Sequence, residues 1–187
     1  ERLARAAEAD GGFVGVRVIA PDGDSYSYRG DRAFRAASCV KIPLMVAIYR
    51  QIDAGARSLD DRHTLRAEEK TPGSGILLHL HDGITLTLGD LLYLMISISD
   101  NTATNLLIRL VGMAAVNATM RDLGMTGSTL GREMRGRPAA PGEPENLATP
   151  DDYARTVAAI LDGTAATAAS CDAMQTLLER QQNARRS

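Results

Sequence analysis

The chain has 187 residues, 44% of them hydrophobic and 24% charged, the balance of one globular domain or of one domain in two lobes. A formal net charge of −2 and few aromatics (Phe 2, Tyr 5, Trp 0) argue against a nucleic-acid or anionic-membrane partner. The apolar stretches are short and broken by charge, so no membrane span is expected.

In chain order, Glu1 to Ala9 reads as a helix stopped by Gly11-Gly12. No leader is visible at Glu1, and a trimmed chain would look the same. Phe13 to Ile19 is a β-rich run, Pro21 to Asp24 a turn of Asp-Gly type, and Ser25 to Arg29 a return strand. From Ser38 onward the pattern is helical. Val40 to Ile52 is an apolar-rich helix ended by Ala54-Gly55. Thr87 is placed to cap a helix over Leu88 to Ile98, with Asp90 favourable in its first turn. Thr102 to Val111 and Val116 to Leu123 follow, stopped by Gly112 and Gly124. Arg132 to Asn146 is rich in proline and glycine and reads as a surface loop. Thr149-Pro150-Asp151-Asp152 opens the next helix, which runs to Leu161. Ala168 to Gln182 is the last.

The two cysteines make no disulfide framework, and Cys39 reads as a small buried thiol. His79-Leu80-His81 lacks partners at ligand spacing and reads as exposed or capping, so no metal or cofactor is expected. One hairpin is marginally stable alone, so the sheet has to gain strands from elsewhere.

Ser38-Cys39-Val40-Lys41 is an S-x-x-K. On a helix, positions three apart share a face, which sets the amine beside the hydroxyl. Serine needs a neighbouring base, and a lysine serves if its surroundings depress its pKa. Alone, the tetrad also fits an N-cap serine with an exposed lysine. Ser99-Asp100-Asn101 follows an apolar helix roughly sixty residues later, the separation of the paired S-x-x-K and S-D-N motifs. Alone, this second motif also fits a helix-capping turn.

Together, Met95 to Leu107, Leu86 to Leu92 and Asn117 to Gly124 closely resemble the S-D-N region of class A β-lactamases and its flanks. The resemblance covers nearly the whole chain. It implies an α+β fold of the β-lactamase/transpeptidase type: an all-α lobe, and an α/β lobe with an antiparallel sheet. Residues 1–37 would start the α/β lobe, 38–165 would form mainly the all-α lobe with the motifs, and 166–187 would return to the α/β lobe. Ser38 would be acylated by a β-lactam or a peptide-like amide, Lys41 would be the candidate base, and Ser99 would relay a proton to the leaving nitrogen. Asn101 would bind the substrate's side-chain amide, and Asp100 would tie down its own loop. No nucleic acid is expected as a partner. A secreted or periplasmic location follows from the resemblance only.

Two departures stand out. Class A enzymes carry a deacylating glutamate on an Ω-loop, within an E-P-x-x-N segment. Glu143-Pro144-Glu145-Asn146 is similar, but lies only a few residues before Thr149-Pro150. Anchoring on Thr129 to Arg132 moves the glutamate's place to Glu133 or Met134, with Asn146 at the loop's far end. Glu133, Glu143 and Glu145 are thus the candidates, and Glu143 and Glu145 also fit solvated loop acids. The second departure is the K-T-G strand, absent before Arg185-Arg186-Ser187. A missing C-terminal segment is expected to complete the sheet, and residues 1–187 alone are expected to be inactive and poorly folded. Gly73-Ser74-Gly75 fits either a border of the cleft or a plain loop. Two alternatives remain beside a β-lactam hydrolase: a peptidase or esterase with the same machinery, and a non-catalytic penicillin-binding relative.

Overall fold

The computed structural model describes residues 2–9 and 11–182; the start of the first helix at Glu1 and the segment 183–187 lie outside them. After helix α1 (Arg2–Ala9), strands β1 (Val16–Ile19) and β2 (Ser25–Tyr28) form the expected hairpin, registered from Val16 opposite Tyr28 to Ile19 opposite Ser25. Gly23 takes the left-handed angle that the Asp-Gly turn demands, at φ 91°.

Four further short strands occur. β3 (Phe34–Arg35) pairs antiparallel with β6 (Leu147–Ala148), and β4 (Arg62–Thr64) with β5 (Thr85–Thr87). Two or three residues cannot display the alternation by which a strand is recognised in sequence. Neither pair joins the hairpin, which stays two-stranded among the described residues.

The core forms around α2 (Lys41–Asp53), in which Leu44 to Tyr49 are all buried. A helix covered all round has to sit at the centre of a bundle. Here α3 (Leu88–Ser97), α4 (Asn101–Val111), α5 (Met113–Asp122) and α7 (Ala168–Glu179) pack against it or against one another. Pro43 falls in its first turn, where no intrahelical N–H is lost. A 3₁₀ turn, Ala37–Val40, leads into α2 and carries Ser38.

The caps follow the sequence. Thr87 Oγ1 accepts the Asp90 N–H, and Asp90 returns a bond to the Thr87 N–H. Thr149 Oγ1 accepts from Asp152 at the start of α6 (Pro150–Leu161). α5 begins three residues before the expected Val116. Gly112 explains this: its N–H closes α4 onto Ile108 O, while its carbonyl accepts from Ala115 and Val116. One glycine at φ 86° thus ends one helix and starts the next, with an 85° bend between them. α7 ends at Glu179, short of the expected Gln182. Residues 132–146 hold no helix or strand, as expected of a loop. No described helix is by itself long and apolar enough to cross a membrane.

The expectation for Cys39 is corrected: the residue is exposed, whereas Cys171 is buried, and both thiols are free. Cys39 borders an apolar groove of about 1170 Å³ between β1 and α6. Nothing among the described residues covers that groove, which is why the thiol is not enclosed.

Candidate active site

Ser38 sits at the floor of a second cavity of about 370 Å³, bordered by Gly73, Ser74, Asn101, Met134 and the loop 132–138. The 3₁₀ turn and the first turn of α2 bring Lys41 beneath it. Lys41 is buried, and its Nζ lies 3.3 Å from Ser38 Oγ, 2.7 Å from Ser99 Oγ, 2.7 Å from the Ser99 carbonyl and 3.2 Å from Asn101 Oδ1. Ser99 Oγ in turn lies 2.8 Å from Ser38 Oγ. The three hydroxyl and amine groups therefore form a closed triangle.

An ammonium has three N–H donors, and four acceptors surround this one. Burial lowers the Lys41 pKa to about 8, against the opposing pull of the Asp100 carboxylate. A neutral amine keeps two donors for the Ser99 carbonyl and Asn101, and turns its lone pair toward the hydroxyls. Proton acceptance from Ser38, directly or through Ser99, is thus built into the geometry.

Asp100 organises the surroundings. Its Oδ1 accepts the Ala103 N–H and caps α4, as an Asx residue does. Its Oδ2 accepts from Ile76 at 2.6 Å and Leu77 at 2.9 Å, fastening the 73–77 segment to the S-D-N turn. Ser99 holds φ at 61°, a costly angle for a residue with a Cβ, which aims its hydroxyl at Ser38. Gly75, at φ 113°, leaves room for the Asp100 carboxylate, which occupies the space a Cβ would need. Of the two readings of Gly73-Ser74-Gly75, the structure supports the cleft border: Gly73 and Ser74 line the cavity, and Ser74 Oγ donates to the Ser99 carbonyl at 2.6 Å.

The three candidate glutamates part company. Glu133 is held bidentately by Arg109, at 2.8 and 2.7 Å, and does not line the cavity. Glu143 also lies off the cavity lining, bound by Arg135, Arg137 and the Ala140 N–H, and these bonds hold its pKa down at about 2. Glu145 does line the cavity, but Arg132 and the N–H groups of Ala139 and Asn146 take its oxygens. Burial pushes its carboxyl up, and those bonds outweigh it.

Asn105 carried no separate signal in the sequence, whereas Asn146 was marked there only as the loop's far end. Asn105 clamps Met134 by both backbone groups: Oδ1 accepts its N–H at 2.7 Å and Nδ2 donates to its carbonyl at 2.9 Å. Asn146 Oδ1 accepts from Gly131 and Arg132, closing the loop's neck, and its carbonyl accepts the Ala36 N–H. The loop is thus tied to the segment that delivers Ser38. Asn105 lies four residues after Asn101, one helical turn on, which is the one clue to its direction.

These features agree with known proteins. The model of the β-lactamase enzyme family matches residues 1–186. A β-lactamase of Rhodobacter capsulatus is 34% identical over 166 residues, covering 87% of this chain and 56% of that protein. The chain thus spans about half the length of this curated relative. The crystal structure of a β-lactamase from Sphaerobacter thermophilus superposes with a TM-score of 0.97 at 63% identity, over 99% of this chain and 70% of that one. An ancestral class A β-lactamase superposes with a TM-score of 0.88 at 32% identity, over 97% and 71%. The chain belongs to the β-lactamase enzyme family and has the α+β fold of its class A members.

Proposed function

We propose that the protein is a serine hydrolase that opens β-lactams, or cleaves peptide-like amides, through an acyl-enzyme on Ser38. The observation that carries this is the triangle of Ser38, Lys41 and Ser99 at the floor of an open cavity. In the acylation step Ser38 Oγ attacks the lactam carbonyl carbon, and its proton passes to the neutral Lys41 amine, directly or by way of Ser99. The C–N bond then breaks, and the Lys41 ammonium returns the proton through Ser99 to the departing nitrogen. The product is a Ser38 ester bearing a free ring amine. Asn101 spends one Nδ2 hydrogen on the Pro72 carbonyl at 3.0 Å and keeps the other for a substrate amide oxygen.

Turnover of that ester needs an activated water. The carboxylates nearest in sequence to the expected place are all engaged in ion pairs, and Met134 projects from the clamped segment instead. The acyl-enzyme is therefore long-lived, and Glu133, Glu143 and Glu145 support the loop's fold rather than deacylation.

The apolar groove bears on architecture. Val18, Ile19 and Leu161 are exposed beside it, and among the described residues β1 pairs on one edge only. An unpaired apolar strand edge invites further strands. The Tyr153 hydroxyl is buried there with no hydrogen-bond partner among the described residues. Residues 1–37 accordingly belong to an α/β lobe whose sheet is completed by additional polypeptide, while 38–165 form mainly the helical lobe, against which α7 packs. The test of function is labelling of the full-length protein with benzylpenicillin or a fluorophosphonate, followed by peptide mapping. The adduct falls on Ser38 and vanishes in Ser38→Ala; labelling that survives this substitution refutes the assignment.

A further inference from the structure

Resting on the acyl-enzyme reading above, we infer that the cavity at Ser38 carries an anion subsite built on Arg35, selecting acyl side chains that bear a carboxylate. The lining holds four arginines, Arg35, Arg132, Arg135 and Arg137, against the single carboxylate of Glu145. Three of the four are matched at close range. Arg132 reaches Glu145 at 2.8 Å, and Arg135 and Arg137 both bind Glu143, at 2.9 and 2.8 Å. Arg35 is different: its nearest carboxylate oxygen, on Glu145, lies 3.9 Å away, and that carboxylate already serves Arg132 and two backbone N–H groups. Its side chain is 68% exposed.

Position makes this cation relevant to chemistry. Arg35 lies on β3, three residues before Ser38, and β3 is fixed by its pairing with β6 at the neck of the loop. Arg35 and the nucleophile therefore border one cavity with little backbone freedom between them, although Arg35 also borders the apolar groove beside β1. Two more positive than negative groups surround the space once Glu143 is counted with the arginines it binds. A guanidinium offers paired N–H donors that match a carboxylate, and such charge-assisted bonds outweigh neutral ones. A substrate whose acyl side chain ends in an aromatic ring alone leaves Arg35 to solvent. One that adds a carboxylate beside the amide supplies a partner not shared with Arg132, unlike the Glu145 carboxylate at 3.9 Å.

Carbenicillin is benzylpenicillin with a carboxylate on the side-chain α-carbon, so the pair isolates this term. The experiment measures second-order acylation constants of the full-length protein for both, in wild type, Arg35→Gln and Arg35→Lys. The ratio of carbenicillin to benzylpenicillin falls about fivefold in Arg35→Gln, the scale of a partly exposed ion pair, and is partly restored in Arg35→Lys. In wild type the same ratio falls as salt rises from about 0.02 to about 0.5 M, because screening weakens the pair; this second reading stands even where Arg35→Gln folds poorly. A ratio unmoved by both Arg35→Gln and salt overturns the subsite while leaving acylation of Ser38 intact. Failure of both penicillins to acylate wild type instead overturns the acyl-enzyme reading, and the subsite with it.

Discussion

Lys41 Nζ lies closer to the hydroxyl of Ser99, at 2.7 Å, than to that of Ser38, at 3.3 Å. The relay through Ser99, whose hydroxyl is 2.8 Å from Ser38 Oγ, therefore has two hops, each shorter than the direct contact. In the proposed mechanism Ser99 serves both halves of acylation, as a bridge on the way to the amine and as the donor to the leaving nitrogen. Ser99→Ala leaves only the direct contact, whose 3.3 Å makes a weaker hydrogen bond. Its acylation constant drops by about 10²-fold or more, with circular dichroism unchanged. Acylation within a few-fold of wild type would show that the bridge is idle.

The pH profile follows from the depressed Lys41 pKa. Lysine accepts a proton only when neutral, and burial brings its pKa down to about 8. Below that value each pH unit removes about nine-tenths of the remaining neutral amine. The acylation constant therefore rises close to tenfold per unit up to about pH 8 and levels above it. A profile flat from about pH 6 to pH 9 contradicts Lys41 as the base.

Lys41→Ala removes the proton acceptor altogether. Acylation falls by about 10²–10⁴-fold. The protein still folds, because the Ser99 carbonyl keeps the Ser74 hydroxyl as its donor and the core around α2 is untouched. Stopped-flow acylation and a thermal melt on the same sample separate the two effects.

Deacylation tests the loop. Met134 is held by Asn105 and lines the cavity with Ser38, so a carboxylate placed there can reach a water beside the ester. Met134→Glu shortens the lifetime of the penicilloyl adduct by at least about tenfold, the low end for a positioned general base. Glu133→Gln and Glu143→Gln leave that lifetime essentially unchanged. A large rise in lifetime in either glutamine variant shows that one of these glutamates is the base after all.

Gly75→Ala tests the support of the S-D-N turn. The substitution strains a positive φ and drives a Cβ into the Asp100 carboxylate, which accepts the N–H groups of Ile76 and Leu77. A loss of about 2 kcal/mol or more in unfolding free energy follows. Equilibrium urea unfolding reads it, and an unchanged midpoint rules out the tight fit.

Much of this site was legible in sequence because its members are close along the chain. Ser38 and Lys41 share a helical face, and Ser99, Asp100 and Asn101 share one turn, so spacing carried them. The helix caps at Thr87 and Thr149 were legible for the same local reason. The supporting contacts were not. Asn105 acts on Met134, 29 residues away, and Asn146, marked only as the loop's far end, on Arg132 across the loop. An asparagine's partners are set by packing, and no periodicity announces them. The short strands β3 to β6 escaped because two or three residues show no alternation. Cys39 was misread because burial was inferred from its own helix, while exposure depends on what covers the groove beyond it.

The apolar groove makes a prediction about assembly. Residues 1–187 produced alone bind a hydrophobic dye at the face between β1 and α6, melt at a lower temperature than the full-length protein, and acylate slowly or not at all. A hairpin whose two outer edges are both unpaired among the described residues, with Val18 and Ile19 exposed, is marginal without further strands. A compact, dye-silent and fully acylating 187-residue monomer contradicts the completed sheet.

An acyl-enzyme on Ser38 is read out by intact mass spectrometry of the full-length protein mixed with benzylpenicillin and sampled over time. The expected result is a rapid gain of the mass of one whole penicillin, mapped to Ser38, persisting for many minutes and absent in Ser38→Ala. A protein whose mass never changes while the penicillin stays intact, or whose adduct maps elsewhere, contradicts it.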